Sequence, residues 1–248
     1  MPRRSINRLI GACAGVALAL AGCDAQQAAP APADRPELAV MTSLPIFWAE
    51  GDVGAMLSGD HAGHWVKQAL EARFRPVPVD RLTQIGDRGF LLLAQPRALA
   101  GDENVALDDW VRGGGHVLLL ADPMLTAHSE YGLGDARAPQ PVALLSPILA
   151  RWGLELTFDP ASSPNDGVSD GPLAIPVRMA GRWRLTGGGH ESRCKLSENA
   201  LVAHCQIGAG TALLLADAAL VEDGDHPDES ARAALEKLLD SAFGAPDA

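Results

Sequence analysis

Basic side chains are scarce in this chain: 20 Lys and Arg stand against 31 Asp and Glu, a formal net charge of −11. So acidic a body excludes nucleic acid as a partner and excludes direct adhesion to anionic lipid headgroups. Beyond the N-terminal two dozen residues no run is long and apolar enough for a transmembrane helix. Gly-x-Ser-x-Gly is absent, and with it the strained turn that exposes a serine nucleophile. His-Glu-x-x-His and Cys-x-x-Cys are absent too, which removes two common zinc frameworks. Gly187-Gly188-Gly189-His190 lacks the following Lys-Ser/Thr and a helix, so it is not a phosphate loop. No cofactor is expected.

What is present begins at the N-terminus. Arg3, Arg4 and Arg8 precede the apolar run Leu9–Ala21, which is too short to span a bilayer comfortably. A basic start, a short apolar core and small residues at the cut make a secretion signal over residues 1–22. Leu20-Ala21-Gly22-Cys23 resembles the lipobox of bacterial lipoproteins. The resemblance implies diacylglyceryl transfer to the Cys23 thiol, cleavage before Cys23 and acylation of the new amine. With three arginines and no acid lost, the net charge moves from −11 to −14. Membrane contact then comes from the acyl chains, at roughly 0.8 kcal/mol per buried CH₂. By resemblance to the enterobacterial sorting rule, Asp24 favours the inner membrane, facing the periplasm, with the outer membrane as the alternative address.

Cys13 leaves with the signal and Cys23 carries lipid, so Cys194 and Cys205 remain. An even pair in an oxidising compartment is a disulfide candidate. Ser197-Glu198-Asn199 between them reads as a turn that would bring the two together across neighbouring strands. The alternative is two buried free thiols.

Residues 23–37, rich in Ala, Pro and Gln, read as a flexible tether, and residues 38–245 as a single α/β domain. Leu38–Leu44, Phe90–Ala94, Val117–Ala121 and Ala212–Ala216 are continuous apolar strands, and Pro76–Val79 is an edge strand. His61–Phe74, Asn104–Arg112, Val142–Trp152 and Ser230–Phe243 carry apolar residues at helical spacing. Buried strands alternating with amphipathic helices predict a mainly parallel sheet with helices on both faces. Short strand candidates at Leu173–Val177, Trp183–Thr186, Lys195–Leu196 and Leu201–Gln206 predict an antiparallel insertion in the C-terminal half, within one mixed sheet. Phe47 and Trp48 either cover the sheet edge or belong to the core, and the core is the preferred assignment. Thr126–Pro141 is a long polar loop of the functional or flexible kind.

Leu107-Asp108-Asp109-Trp110-Val111-Arg112-Gly113-Gly114-Gly115, followed by His116-Val117-Leu118-Leu119-Leu120, resembles the helix, Gly-Gly, strand unit of class I glutamine amidotransferase-like domains. It is especially similar to the extracytoplasmic accessory proteins of ABC-2-type, gliding-motility-like transport systems. Gly208-Ala209-Gly210 with Leu213-Leu214-Leu215-Ala216-Asp217 matches the late glycine, strand, Asp pattern of those proteins. The resemblance implies a flavodoxin- or amidotransferase-like sheet, and a permease or other membrane protein as partner.

Working amidotransferases place a thiol in a strained turn after a central strand. Here that turn is Asp122-Pro123-Met124, which offers no Cys or Ser. Asp122 and Asp217 end buried strands, where open α/β sheets place ligands; each equally suits a cap for the following turn. Thr42 and Ser43 follow the first strand and either meet a ligand or satisfy loop amides. Asp60-His61-x-x-His64 is the best metal candidate, though Asp60 also suits an N-cap, and no metal is assigned. The expectation is therefore a membrane-anchored, periplasmic, non-catalytic binding or scaffold lipoprotein, accessory to an ABC-type transporter. The alternative is a periplasmic hydrolase using Asp122 with a histidine such as His128, or a metal.

Overall fold

The computed structural model describes residues 35–48, 64–132, 134–161, 166–222 and 229–245. The signal, Cys23, Asp60 and His61 lie outside them. Among the described residues no helix is long and apolar enough to cross a membrane.

The four apolar runs do form the sheet centre. β1 (Glu37–Thr42), β2 (Arg75–Pro78), β3 (Phe90–Ala94) and β4 (His116–Leu120) pair in parallel. β5 (Leu154–Thr157), β6 (Gly167–Val168), β7 (Pro176–Val177) and β8 (Arg182–Leu185) stand outside this sheet. β9 (Ser192–Ser197), β10 (Val202–Ile207) and β11 (Gly210–Leu215) complete it in the order β2-β1-β3-β4-β11-β10-β9. β11 joins β4 in parallel, and β10 and β9 follow as an antiparallel meander. Consecutive residues of β3, β4 and β11 are buried, so the sheet centre is covered on both faces. Both edges are unsuited to further pairing: β2 carries Pro76 and Pro78, and β9 carries Arg193 and Lys195.

Among the described residues four helices flank the sheet: α1 (Trp65–Arg73), α2 (Gly101–Arg112), α3 (Ser146–Arg151) and α4 (Glu229–Phe243). α4 lies on β4 and β11. It meets the end of α1 through Phe243 and Phe74, whose rings are 5.6 Å apart edge to face. Glu103 in the first turn of α2 is fully buried. It accepts a two-pronged bond from Arg97 and the amides of Ala100 and Leu82, fixing where the helix begins.

Three expectations need correction. Val142–Trp152 is helical only from Ser146, because Pro147 sits in the first turn, the place a proline tolerates. Val142 and Leu144 consequently lie outside the helix and are exposed. The expected insertion divides: Lys195–Leu196 and Leu201–Gln206 fall in β9 and β10 and join the main sheet, whereas β5 pairs β8 and β6 pairs β7 as two separate antiparallel ribbons. Phe47 packs against the core, but Trp48 is 43% exposed.

Cys194 and Cys205 are bonded as expected. They face each other in register across β9 and β10 and close an 11-residue separation. Such a loop contributes about 3 kcal/mol in the chain-entropy account, and it holds the edge strand to its neighbour.

Candidate functional site

In the five parallel strands the chain steps from β1 to β2 on one side and then to β3 on the other. The strand order therefore reverses between β1 and β3. In open α/β sheets ligands lodge outside the carboxyl ends of the strands at such a reversal. Thr42 and Ser43 leave β1 there, and Gln95 leaves β3. Asp122 and Asp217 leave β4 and β11, one and two strands further along. The register Leu120↔Leu215, with Ala121 N–H donating to Leu215 O, sets the two aspartates side by side.

Each residue at this edge is already engaged. Thr42 Oγ1 accepts the Leu44 amide at 2.9 Å, a local turn. Ser43 Oγ donates to Gln95 O at 2.5 Å and accepts the Gln140 amide at 2.9 Å. Gln95 has a left-handed backbone, φ 44°, and is fully buried. Its Oε1 accepts the Asp122 amide at 2.8 Å, and its Nε2 donates to Asp122 O and to Gln140 O. Ser43 and Gln95 thus hold Gln140 of the segment Ala138–Pro141 at the crevice, and Pro139 beside it is buried.

The two aspartates are caps. Asp122 Oδ1 accepts the Met124 amide at 2.7 Å and Oδ2 the Ala218 amide at 3.2 Å. Asp217 accepts the amides of Ala219 and Arg178. Neither has a histidine among these partners, and His128 instead lines the hollow of the loop. Beside them Glu222 accepts the amide and hydroxyl of Thr126 and the Arg178 guanidinium, which also holds Asp166. Burial pushes the Asp122 carboxyl up to about 6; the Met124 and Ala218 amides oppose this and the Glu222 charge adds to it. Burial first, and the neighbouring Asp122 second, hold the Asp217 carboxyl well above its usual range. Gln95, Gln140, Arg178 and Glu222 were not singled out from the sequence.

The stability profile should carry both signs. Asp122 binds its proton more tightly folded than unfolded, so its contribution is complete below about pH 3.8 and lost as pH rises through about 6. Glu103 behaves oppositely. Bonds from Arg97 lower its pKa to about 2 against burial, so its contribution is present above about 4.5 and lost as pH falls through about 2. Urea midpoints should therefore peak at about pH 4–5, and Asp122→Asn should flatten the fall toward neutrality. A midpoint that climbs steadily from pH 5 to 7 would contradict this assignment.

His64, the described member of the Asp60-His61-x-x-His64 candidate, precedes α1 as its N-cap, Nδ1 accepting the Val66 amide at 3.2 Å. Among the described residues no group of three or more His, Cys, Asp or Glu is placed to hold a metal ion. Residues of the 125–141 segment line a half-open hollow of about 670 Å³, with His128, Tyr131 and Asp135 on its wall. Arg137 stacks on Tyr131 and pairs with Asp135.

No family model matches the chain, and no curated protein matches it. Among solved structures it is similar to the exo-β-1,4-mannosidase Op5Man5 from Opitutaceae bacterium strain TAV5, at 15% identity over 75% of this chain and a TM-score of 0.42. It is similar also to a β-galactosidase from Rahnella sp. R3, at 12% identity over 84% of this chain and a TM-score of 0.42. The chain spans 31% of the length of each. A third similarity is to the mmIFT52 N-terminal domain, at 12% identity, over 82% of this chain and 96% of that one, with a TM-score of 0.47.

Proposed function

We propose that this chain is a membrane-anchored periplasmic binding or scaffold lipoprotein, accessory to an ABC-type transport system. On this reading it has an amidotransferase-like sheet, with α1 and α4 on one face and α2 and α3 on the other, and no amidotransferase chemistry. The observation that carries the reading is the occupied crevice: Ser43 and Gln95 hold the chain's own Gln140 where the fold would receive a substrate. Pro123 supports it, since the residue after the turn position lacks the N–H that an oxyanion hole would use. Cys23 is the anchor, and the inner membrane is the assigned address.

A second reading, a hydrolase built on Asp122, draws on one observation: a carboxyl pushed up to about 6 keeps a proton close to neutral pH, as a general acid must. Against it, both Asp122 oxygens accept backbone amides. One set of strains separates the readings. Cys23→Ala should abolish palmitate labelling and leave an uncleaved precursor, while wild type is labelled and crosslinks to an integral membrane protein. Normal labelling of Cys23→Ala would remove the anchor. Ester, glycoside or glutamine hydrolysis that copurifies with the chain and disappears in Asp122→Asn would install the hydrolase instead.

A further inference from the structure

We propose that the crevice between the carboxyl ends of β1 and β3 binds an extended, proline-flanked peptide, and that the chain's own Ala138–Pro141 strap occupies it in cis. The proposal deepens the binding reading above by naming the ligand class. The contacts are those of peptide recognition. The Gln140 N–H donates to Ser43 Oγ at 2.9 Å, and the Gln140 C=O accepts from Gln95 Nε2 at 2.8 Å. Both backbone polar groups of one residue are read, and the two readers sit just past the ends of β1 and β3. These two contacts read backbone alone, so the residue between the prolines is free to vary. Pro139, N-terminal to that residue, is buried, and on this proposal it is the apolar part of the recognised sequence. Prolines on either side fix φ and favour the extended conformation, so little chain entropy is lost on docking.

Two features argue that the crevice is built for recognition and the strap is displaceable. Gln95 adopts a left-handed backbone although Pro96 follows it, a context that favours extended φ. That conformation is held where its amide can reach both Asp122 and Gln140. The strap, by contrast, borders a half-open hollow of about 670 Å³, whose wall includes Pro139, Gln140 and Pro141. The strap therefore has open space to move into on that side. The backbone bond from Leu125 N–H to Pro141 O is the hinge on the far side.

The test uses full-length protein in detergent and a labelled peptide of the strap's own sequence, Ala-Pro-Gln-Pro-Val. Pro139→Gly/Pro141→Gly, which loosens the strap and leaves both readers intact, should bind the peptide about tenfold more tightly than wild type. Adding Ser43→Ala should reverse that gain by about tenfold, the weight of one hydrogen bond. A peptide methylated on the Gln nitrogen should not bind. In wild type, the peptide should accelerate hydrogen exchange at the Gln140 amide, a readout that needs no variant to fold. A folded double variant that ignores the peptide at millimolar concentration, or Gln140 exchange unmoved by it, overturns the proposal. Neither outcome touches lipidation at Cys23, so failure here and failure of the anchored reading are distinguishable.

Discussion

Gly210→Ala should lower the unfolding free energy by at least ~3 kcal/mol, the upper end of what overpacking costs. A methyl group at Gly210 would lie 2.1 Å from Val111 O and 2.2 Å from Gly115 O. Both atoms are backbone, so no side-chain rotation relieves the contact. The closeness is built in, because the two glycine motifs pack on each other. Ala209 N–H donates to Arg112 O at 3.0 Å, and Thr211 N–H to Gly115 O at 3.1 Å. Gly115 is constrained from its other side, where a methyl would fall 2.5 Å from the Trp110 ring. The end of α2 and the start of β11 thus meet backbone to backbone, and glycine is the residue that allows it. Gly101→Ala is the matched control. Nothing lies within 4 Å of a methyl there, and the position is the first of α2, so stability should hold or rise by up to ~1 kcal/mol. Urea unfolding measures both. A Gly210→Ala midpoint equal to wild type would mean that the contact yields at no cost.

The same contact gives the glycine motifs a physical meaning different from a catalytic one. They lie at the amino ends of β4 and β11, whereas Asp122 and Asp217 lie at the carboxyl ends. The segment most readable as a family signature is therefore an architectural joint.

Legibility in the sequence followed the range of the interaction. β3, β4 and β11 could be read because strands buried on both faces become uninterrupted apolar runs. The disulfide was readable because Cys194 and Cys205 remain as an even pair flanking a turn. The start of α3 was readable in principle from Pro147, but the apolar spacing through Val142 and Leu145 outweighed it. The crevice was not readable. Ser43 and Gln140 are 97 residues apart, and no local pattern announces that a serine hydroxyl will meet one particular amide. Gln95 was hidden more deeply, since its local context favours an extended φ and the tertiary bonds to Asp122 and Gln140 override that preference. Asp122 and Asp217 were found by position, and their local caps on Met124 and Ala219 agree with the cap reading; that their second oxygens would meet Ala218 and Arg178 depended on other segments.

Asp108→Ala should cost about 3 kcal/mol, comparable to breaking a buried ion pair. Asp108 is 6% exposed and joins α2 to α3. Its Oδ1 accepts the Trp152 indole N–H at 3.0 Å, and its Oδ2 accepts Arg112 Nε at 2.9 Å and Arg151 Nε at 3.0 Å. Burial works against the ionised form, and the bonds from Arg112, Arg151 and Trp152 outweigh it, holding the carboxyl below its usual range. The carboxylate is thus stabilising at neutral pH, and its contribution is lost only in acid. Truncation leaves three donors facing a void. Arg151 is 46% exposed and can turn to water, but the Trp152 indole is buried and cannot. The unsatisfied indole is therefore the dominant penalty. That ranking has a test of its own. Trp152→Phe removes the orphaned donor while keeping an aromatic ring, so Asp108→Ala/Trp152→Phe should lose at least ~1 kcal/mol less than the two single variants added together. Asp108→Asn, which keeps an acceptor for the indole and gives up the charge, should fall between wild type and Asp108→Ala. Strictly additive losses in the double variant would show that the helix joint depends on the arginines, and that the buried indole bond is secondary.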